Sequence, residues 1–564
     1  MFENFKSEIA KQISALSGVA AETVEPAIGL PSDTVHGDLA LTVPRLRMGG
    51  NPVKAAQSLA EQFQPTEAVI GAVATGPYVN FRINRATLAR SVLGAVHATG
   101  SKYGWTNDGA GKRVIVEFSS PNIAKTFHVG HLRSTIIGNF IYNLHKAHGW
   151  DAVAMNYLGD WGKQYGLLAV GFERHGSEEE LAADAISHLF DVYVKINADA
   201  EQDPAVHDEA RAYFKRMEDG DEAALALWQR FRTMSIQKYK AIYARLGIHF
   251  DVYSGESQVG EGVTRAMSML QEAGLLQEDD LGGKYVDLSA HRLDKAVVQK
   301  TDGATLYITR DLGAAIQRHE LYNFDKAIYV VATQQDYYLK QLFKTLELLG
   351  LPYADRLQHI NYGMVEGMST RKGTVVFLED LLNESQSKMH EVMRANQDKY
   401  QDVTDPEHIA DVIGMSAIII QDMSAKRIKD YDFNWDRMLS TEGDTGPYLQ
   451  YAHARLCSLE RKVHVKVNPG ADVSLLTEDV AHRVITLISR YPDVLATAIN
   501  TLEPCSIVQY LFKLSHAISS AWDSLKVLDQ PEDVAEARLL MYWSARAVLS
   551  NALTLLGLEP VERM

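Results

Sequence analysis

Two histidines three residues apart, His128 and His131 in SSPNIAKTFHVGH (119–131), are placed for chemistry on a phosphate. Residues at that spacing share one face of a helix, and the run HVGHLRSTIIGNFIYNLHKAHG has the apolar spacing of one. At its first turn the free backbone N–H groups and the helix dipole would attract an anion. Gly130 removes a side chain that would block a nucleotide, and two imidazoles could donate hydrogen bonds to charge growing on a phosphate. A zinc pair would need further ligands, and none stand nearby at suitable spacing. Two structural histidines are the plain alternative for an isolated HxxH, but the context argues against it. Pro121 ends an apolar strand just upstream, giving a strand–proline–helix order.

A second candidate is TDGATLYITRDLGAA (301–315), where a glycine turn leads into a strand, TLYITRD (305–311). Asp311 at its end could cap a helix, or it could hold a cationic substrate at the mouth of a sheet beside Tyr307. Gln335 follows the strand KAIYVVAT (326–333), at the carboxyl edge where open sheets bind ligands. GMSTRKG (367–373) sets hydroxyls and two cations, Arg371 and Lys372, between glycines, which suits a loop closing over phosphate. TGPYLQYAHAR (445–455) puts Tyr448, Tyr451 and Arg455 on one helical face, a surface for stacking unpaired RNA bases if those aromatics are not simply core. SAKRIKD (424–430) is a small basic cluster, as often a solvated face as a binding site. GAGK (109–112) is no Walker loop, because its first glycine would fall at Thr106 and a strand follows it. No GxGxxG motif occurs.

The elements that must position these residues follow an α/β order. RVIVEF (113–118) is a buried parallel strand, the histidine helix follows, and AVAMNYLG (152–159) is the next strand. Further strands are expected at 305–311, 326–333 and 356–365. Residues 1–105 form a first α+β unit ending in the strand GPYVNFRI (76–83), and 106–404 form a Rossmann-like catalytic domain. A charged helical insertion spans about 172–295, and 405–564 form an all-α domain. With 564 residues the chain exceeds what one core usually serves. It carries 56 Lys+Arg against 72 Asp+Glu, a net charge of −16, so any nucleic acid must be held by local patches. Two cysteines, Cys457 and Cys505, exclude a disulfide framework and fit a reducing, cytoplasmic setting. The start, MFENFKSEIAKQISAL, reads as an amphipathic helix with Glu3 and Glu8, not as a signal or transit peptide, and no run is long enough to span a bilayer.

Taken together and in order, HVGH after SSPNIAK, LYITRD, MSTRKG, DTGPYLQYAHAR and the terminal PVERM resemble the class I arginyl-tRNA synthetases. The resemblance implies a Rossmann-like parallel sheet that activates L-arginine with ATP, Mg²⁺ accompanying the nucleotide, and then esterifies tRNA(Arg). It implies no other cofactor and no protein-held metal. Lys125, His128, Gly130, His131, Met368 and Ser369 would contact ATP, with Lys125, His128 and His131 catalytic. Glu117, Ser120, Asn122, His131, Tyr307, Asp311 and Gln335 would bind arginine. Tyr78 and Asn80 of a tRNA-elbow domain, and Tyr448, Tyr451, Arg455, Trp522 and Met564 of an anticodon-binding domain, would contact tRNA. The 172–295 insertion would support the acceptor end, arginine activation would need bound tRNA, and nothing demands more than a monomer. Aligned on Met368 and Ser369, the two lysine places of the family's KMSKS loop hold Gly367 and Thr370, and Lys125 would supply the displaced charge. Other HxGH nucleotidylyltransferases, synthetases for other amino acids and a non-enzymatic RNA-binding relative are the competing readings.

Overall fold

The computed structural model describes residues 3–31, 36–123, 127, 130–301, 303–366, 377–395, 400–401, 403–440 and 442–564. In the N-terminal unit, β1 (Ile28–Gly29), β2 (Leu39–Thr42), β3 (Val69–Thr75) and β4 (Tyr78–Ile83) form an antiparallel sheet in the order β1-β2-β4-β3. Phe81, Val79 and Leu41 are fully buried in a core shared with the helices Glu3–Ser17 and Pro52–Gln62. The next helix, Arg85–Thr99, leaves this sheet and packs on the C-terminal helices Asp479–Thr501 and Glu532–Leu555.

The central body is a five-stranded, all-parallel sheet. It comprises β5 (Arg113–Glu117), β6 (Asp151–Leu158), β7 (Val252–Gly255), β11 (Lys326–Ala332) and β12 (Leu357–Tyr362), in the order β12-β11-β5-β6-β7. Successive side chains of β5 point into two different cores: Val114 and Val116 into one, Ile115 into the other. Ile328 and Val330 of β11 alternate with Ala327 and Tyr329 in the same way. A sheet buried on both faces requires such unbroken apolar runs. One face is covered by the helix Gly130–Ala147, which passes so close that a Cβ on Gly138 would sit 2.2 Å from Phe118. The other is covered by the helix Tyr307–Tyr322 through Ile308, Leu312, Ala315 and Ile316. Its Gly313 meets Gly262 of the helix Gly260–Glu272 backbone to backbone.

Three expectations are corrected. TLYITRD is not a strand: the helix starts at Tyr307, and only Thr305 makes an isolated bridge, to Gln299. The residues are β-prone, but Ile308 and Leu312 at i and i+4 have an apolar core to fill on one side, and tertiary packing overrides propensity. Nor is 172–295 one helical insertion. Four helices, Glu178–Ala183, Ala185–Gln202, Ala205–Glu218 and Glu222–Arg245, precede β7, which belongs to the parallel sheet. After it come the helix Gly260–Glu272 and a separate antiparallel sheet of β8 (Leu276–Glu278), β9 (Lys284–Val286) and β10 (Ala296–Gln299). The expected boundary at 404/405 divides a packed helix pair, Leu378–Arg394 and Pro406–Met423.

Beyond it the elements among the described residues are helical apart from β14 (Tyr431–Asp432), which pairs with β13 (Val365–Glu366). A buried ion pair, Arg133 Nε to Asp422 Oδ2 at 3.0 Å, ties the helix Gly130–Ala147 to this region, and Arg133 also donates to the Gly363 and Lys429 carbonyls. The C-terminal tail folds back on the helix Gly446–Lys462. Gln450 exchanges hydrogen bonds with Glu559 and Val561, and a His453 ring nitrogen lies 2.8 Å from the Val561 carbonyl. No described helix is long and apolar enough to cross a membrane.

Candidate active site and RNA-facing surfaces

The polar candidates of the central sheet gather at its carboxyl edge. β5 ends in Glu117, and the chain then turns through Ser119 and Ser120, both with left-handed backbones at φ +68° and +44°. Asn122 bridges to Gly159, just past the end of β6, and Tyr165 donates to its Oδ1 at 3.5 Å. Gly130 opens the following helix, and the His131 ring packs 5.5 Å from Phe127. Gln335 closes a short 3-10 turn directly after β11 and is exposed. Lys125, His128, Met368, Ser369 and the rest of MSTRKG lie outside the described residues.

Because the 307–322 segment is helical, Tyr307 and Asp311 are one turn apart on the same face. Tyr307 stands 62 % exposed at the rim with its ring 5.5 Å from Tyr338. Asp311 lies deeper and accepts a hydrogen bond from the Tyr338 hydroxyl. Around it are two carboxylates with guanidinium partners. Glu117 pairs with the buried Arg318 of the same helix, and Glu256 pairs with Arg310 at 2.9 Å. Arg318 is further held over the Tyr157 ring at 4.7 Å. Three carboxylates therefore face two guanidiniums, and among the described residues Asp311 is the one of the three with no guanidinium ion pair. Burial pushes its carboxyl up to about 7; the Tyr338 hydrogen bond and the nearby Arg318 guanidinium oppose this, while Glu117 and Glu256 push it further up. Burial likewise raises Glu256. A ligand cation would restore charge balance at Asp311. Glu117, expected to meet the ligand, is occupied by Arg318.

Glu256, Arg318 and Tyr338 were missed from sequence. Arg318 lies two helical turns beyond Asp311, a spacing that could have placed it on the same face. Glu256 follows a four-residue edge strand too short to notice.

On the helical domain, Tyr451, Arg455, Trp522 and Met564 line one concavity of about 580 Å³, joined by Arg461, Lys462 and Arg563. The Arg455 guanidinium lies 4.0 Å over the Trp522 ring, which itself meets Tyr542 edge-on. Tyr448, one turn earlier, faces His516 and Ser519 instead. In the N-terminal sheet Tyr78 is 46 % exposed, whereas Asn80 is buried and donates to Thr75 at 3.1 Å, so it presents little surface for a base. A cleft of about 780 Å³ between this sheet and the helix Asp479–Thr501 is lined by Arg82, Arg85, Arg483, Arg490 and Lys513. Asp479 pairs with Arg85, while the Arg490 Nε and Nη2 atoms are buried without a hydrogen-bond partner. Of SAKRIKD, Arg427 is structural, donating to Asn361 at the end of β12.

A parallel sheet whose central strand turns into a Gly-His helix, with a charged pocket at its carboxyl edge and an appended helical domain, defines a class I aminoacyl-tRNA synthetase. The comparisons narrow that class. A family model described as "tRNA synthetases class I (R), catalytic domain" matches residues 94–435, a "DALR anticodon binding domain" matches 449–564, and an "Arginyl tRNA synthetase N terminal domain" matches 3–83. The chain is 52 % identical to a probable cytoplasmic arginine–tRNA ligase of Dictyostelium discoideum, over 99 % of this chain and 100 % of that one. It is also 52 % identical to the cytoplasmic arginine–tRNA ligase of Saccharomyces cerevisiae, over 99 % and 94 %. The Thermus thermophilus arginyl-tRNA synthetase structure superposes over both full lengths with a TM-score of 0.82 at 22 % identity, a likeness of fold. The chain belongs to the class I arginyl-tRNA synthetase family.

Proposed function

We infer that the chain activates L-arginine with ATP, forming arginyl-adenylate and pyrophosphate, and then transfers arginine to the 3′ end of tRNA(Arg). The observation that carries this is Asp311, a half-buried carboxylate with no ion-pair partner among the described residues, between two carboxylates that have one. Arginine's guanidinium supplies the missing charge in a planar, two-pronged form that lysine lacks. Tyr307 closes the rim over it, while Ser120, Asn122 and Gln335 offer neutral hydrogen-bonding groups around the ligand's other end. Glu117 acts at one remove, taking the ion pair of Arg318, so that Arg318 reaches Asp311 only through space.

On the nucleotide side, His128, Gly130 and His131 receive ATP and stabilise the transferring α-phosphate, with Met368 and Ser369 on the closing loop. Mg²⁺ arrives on the ATP phosphates, held chiefly by substrate oxygens. Lys125 supplies the cation that Gly367 and Thr370 do not. Tyr451, Arg455, Trp522 and Met564 hold the anticodon, with Tyr448 beside them, and Tyr78 contacts the tRNA elbow. The cationic cleft at the far end of the same strand, where Arg82 lies, supports an RNA-binding role for this domain in a chain of net charge −16. The enzyme acts as a monomer, and it acts in the cytoplasm, the compartment printed in the names of the Dictyostelium and yeast relatives. Buried, unpaired Cys457 and Cys505 suit that compartment.

The test is amino-acid-dependent ATP–pyrophosphate exchange with and without tRNA. Exchange with arginine only when tRNA(Arg) is present is the expected result. Exchange with lysine, or with no amino acid, and none with arginine would overturn the assignment.

A further inference from the structure

The turn after β5 is held in an unusual way. Ser119 and Ser120 are consecutive non-glycine residues with left-handed backbones, a conformation that persists only where the surroundings impose it. What imposes it is a line of buried hydroxyls. Asn156 Nδ2 lies 3.0 Å from Tyr243 Oη, Tyr243 Oη 2.6 Å from Ser119 Oγ, and Ser119 Oγ 2.8 Å from Thr135 Oγ1. Thr135 Oγ1 is in turn 2.7 Å from the backbone carbonyl of His131.

The direction of the line follows from proton counting. A carbonyl only accepts, so Thr135 spends its one hydroxyl proton on His131, and Ser119 must donate to Thr135. Tyr243 then donates to Ser119, and the Asn156 amide donates to Tyr243. Burial holds the Tyr243 phenol protonated, as the donor role requires. A second line leaves the same residue: the Ser119 N–H donates to Ser134 Oγ at 2.9 Å, which donates to the Val330 carbonyl of β11 at 2.7 Å. The Tyr243 ring also meets Phe127 edge-on at 5.5 Å, and Phe127 packs on the His131 ring.

We propose that Tyr243, on the last turn of the helix Glu222–Arg245, is a positioning residue for arginine activation. Its hydroxyl locks the Ser119–Ser120 turn and, through Ser119 and Thr135, the backbone at His131. The arginine-side turn and the nucleotide-side helix therefore keep one fixed relation, and the helix Glu222–Arg245 is a wall of the active site. The proposal rests on the reading of Ser120 and His131 given above.

The test uses the full chain with tRNA(Arg) in the exchange assay. Tyr243→Phe keeps the ring and removes only the donor; it should lower kcat about tenfold and raise the arginine KM about threefold, as small misplacements do. The KM for tRNA should not change. Ser119→Ala should give the same loss, and the double variant no more than either single change, because one relay is being cut twice. Tyr243→Phe constants within about twofold of the parent, or effects that multiply in the double variant, would overturn the proposal. Should Tyr243→Phe fail to fold, Ser119→Ala paired with Thr135→Val reads the same relay, with multiplying effects again counting against it. A parent enzyme that fails to exchange with arginine would instead refute the reading of the site, so the two failures are distinct.

Discussion

The pocket at the sheet edge and the pocket on the helical domain handle charge in opposite ways. At the sheet edge, Arg318 and Arg310 are ion-paired with Glu117 and Glu256, and Asp311 has no ion-pair partner among the described residues. On the helical domain, Arg455, Arg461, Lys462 and Arg563 line the concavity with no Asp or Glu side chain among the described lining residues. The first arrangement suits a small cation recognised by geometry, because a buried charge left unpaired is costly and only a well-fitted partner relieves it. The second suits a large, hydrated polyanion with aromatic faces, where Arg455 already rests on Trp522. The proposed amino-acid site should therefore fail steeply when one atom changes, and the proposed RNA site gradually.

Asp311→Asn tests the steep side hardest. It keeps the shape and removes the charge, and kcat/KM for arginine should fall by about three orders of magnitude, in the range of lost polar recognition. The tRNA KM should hold. A loss under tenfold would mean that Glu117 or Glu256 carries recognition instead.

Lys125→Ala comes next. Activation should drop about a hundredfold, as for a lost oxyanion donor, with Arg371→Ala and Lys372→Ala mild. The reverse order would return the catalytic cation to the MSTRKG loop.

Trp522→Ala tests the gradual side. It removes a stacking face and the seat of Arg455, and should raise the tRNA KM about tenfold while leaving the arginine KM alone at saturating tRNA. An equal rise in both would show that the two pockets are not separable.

The contrast also explains what could be read in advance. β5, β11 and the helix Gly130–Ala147 are long apolar runs whose partners lie on both sides, so pattern alone identifies them. Tyr451 and Arg455 were legible because both sit on one short helical stretch. The acidic pocket was legible only in part. Asp311 stood out, but its charge state depends on Glu117, Glu256, Arg318 and Tyr338, which come from the ends of β5 and β7, from its own helix and from the next one. The misreading of 305–311 has the same root, since the core that makes it helical is supplied by other segments. Asn80 shows the converse: its strand was legible, its burial was not.

The smallest expected effect is also the most specific to Asp311. Its carboxyl is pushed up to about 7 in the free enzyme, and arginine's cation needs the ionised form. Below that value the protonated acid offers no charge, so kcat/KM for arginine must fall as pH falls. For a single group titrating near 7, the rise from pH 6.5 to 7.5 is about threefold, and kcat/KM reports the free enzyme. The same group bears on stability with a definite sign. A carboxyl raised above its unfolded value binds more protons folded than unfolded between about pH 4 and 7, so its contribution weakens as pH rises through that window. Asp311→Asn should thus be relatively more stable than the parent at pH 8 than at pH 5, in the absence of arginine. Tyr338→Phe removes the hydrogen bond that holds the acid down, and should move the kcat/KM profile for arginine to higher pH. A profile for Tyr338→Phe that overlays the parent's would detach the titration from Asp311, and with it the claim that one unpaired carboxylate defines the pocket.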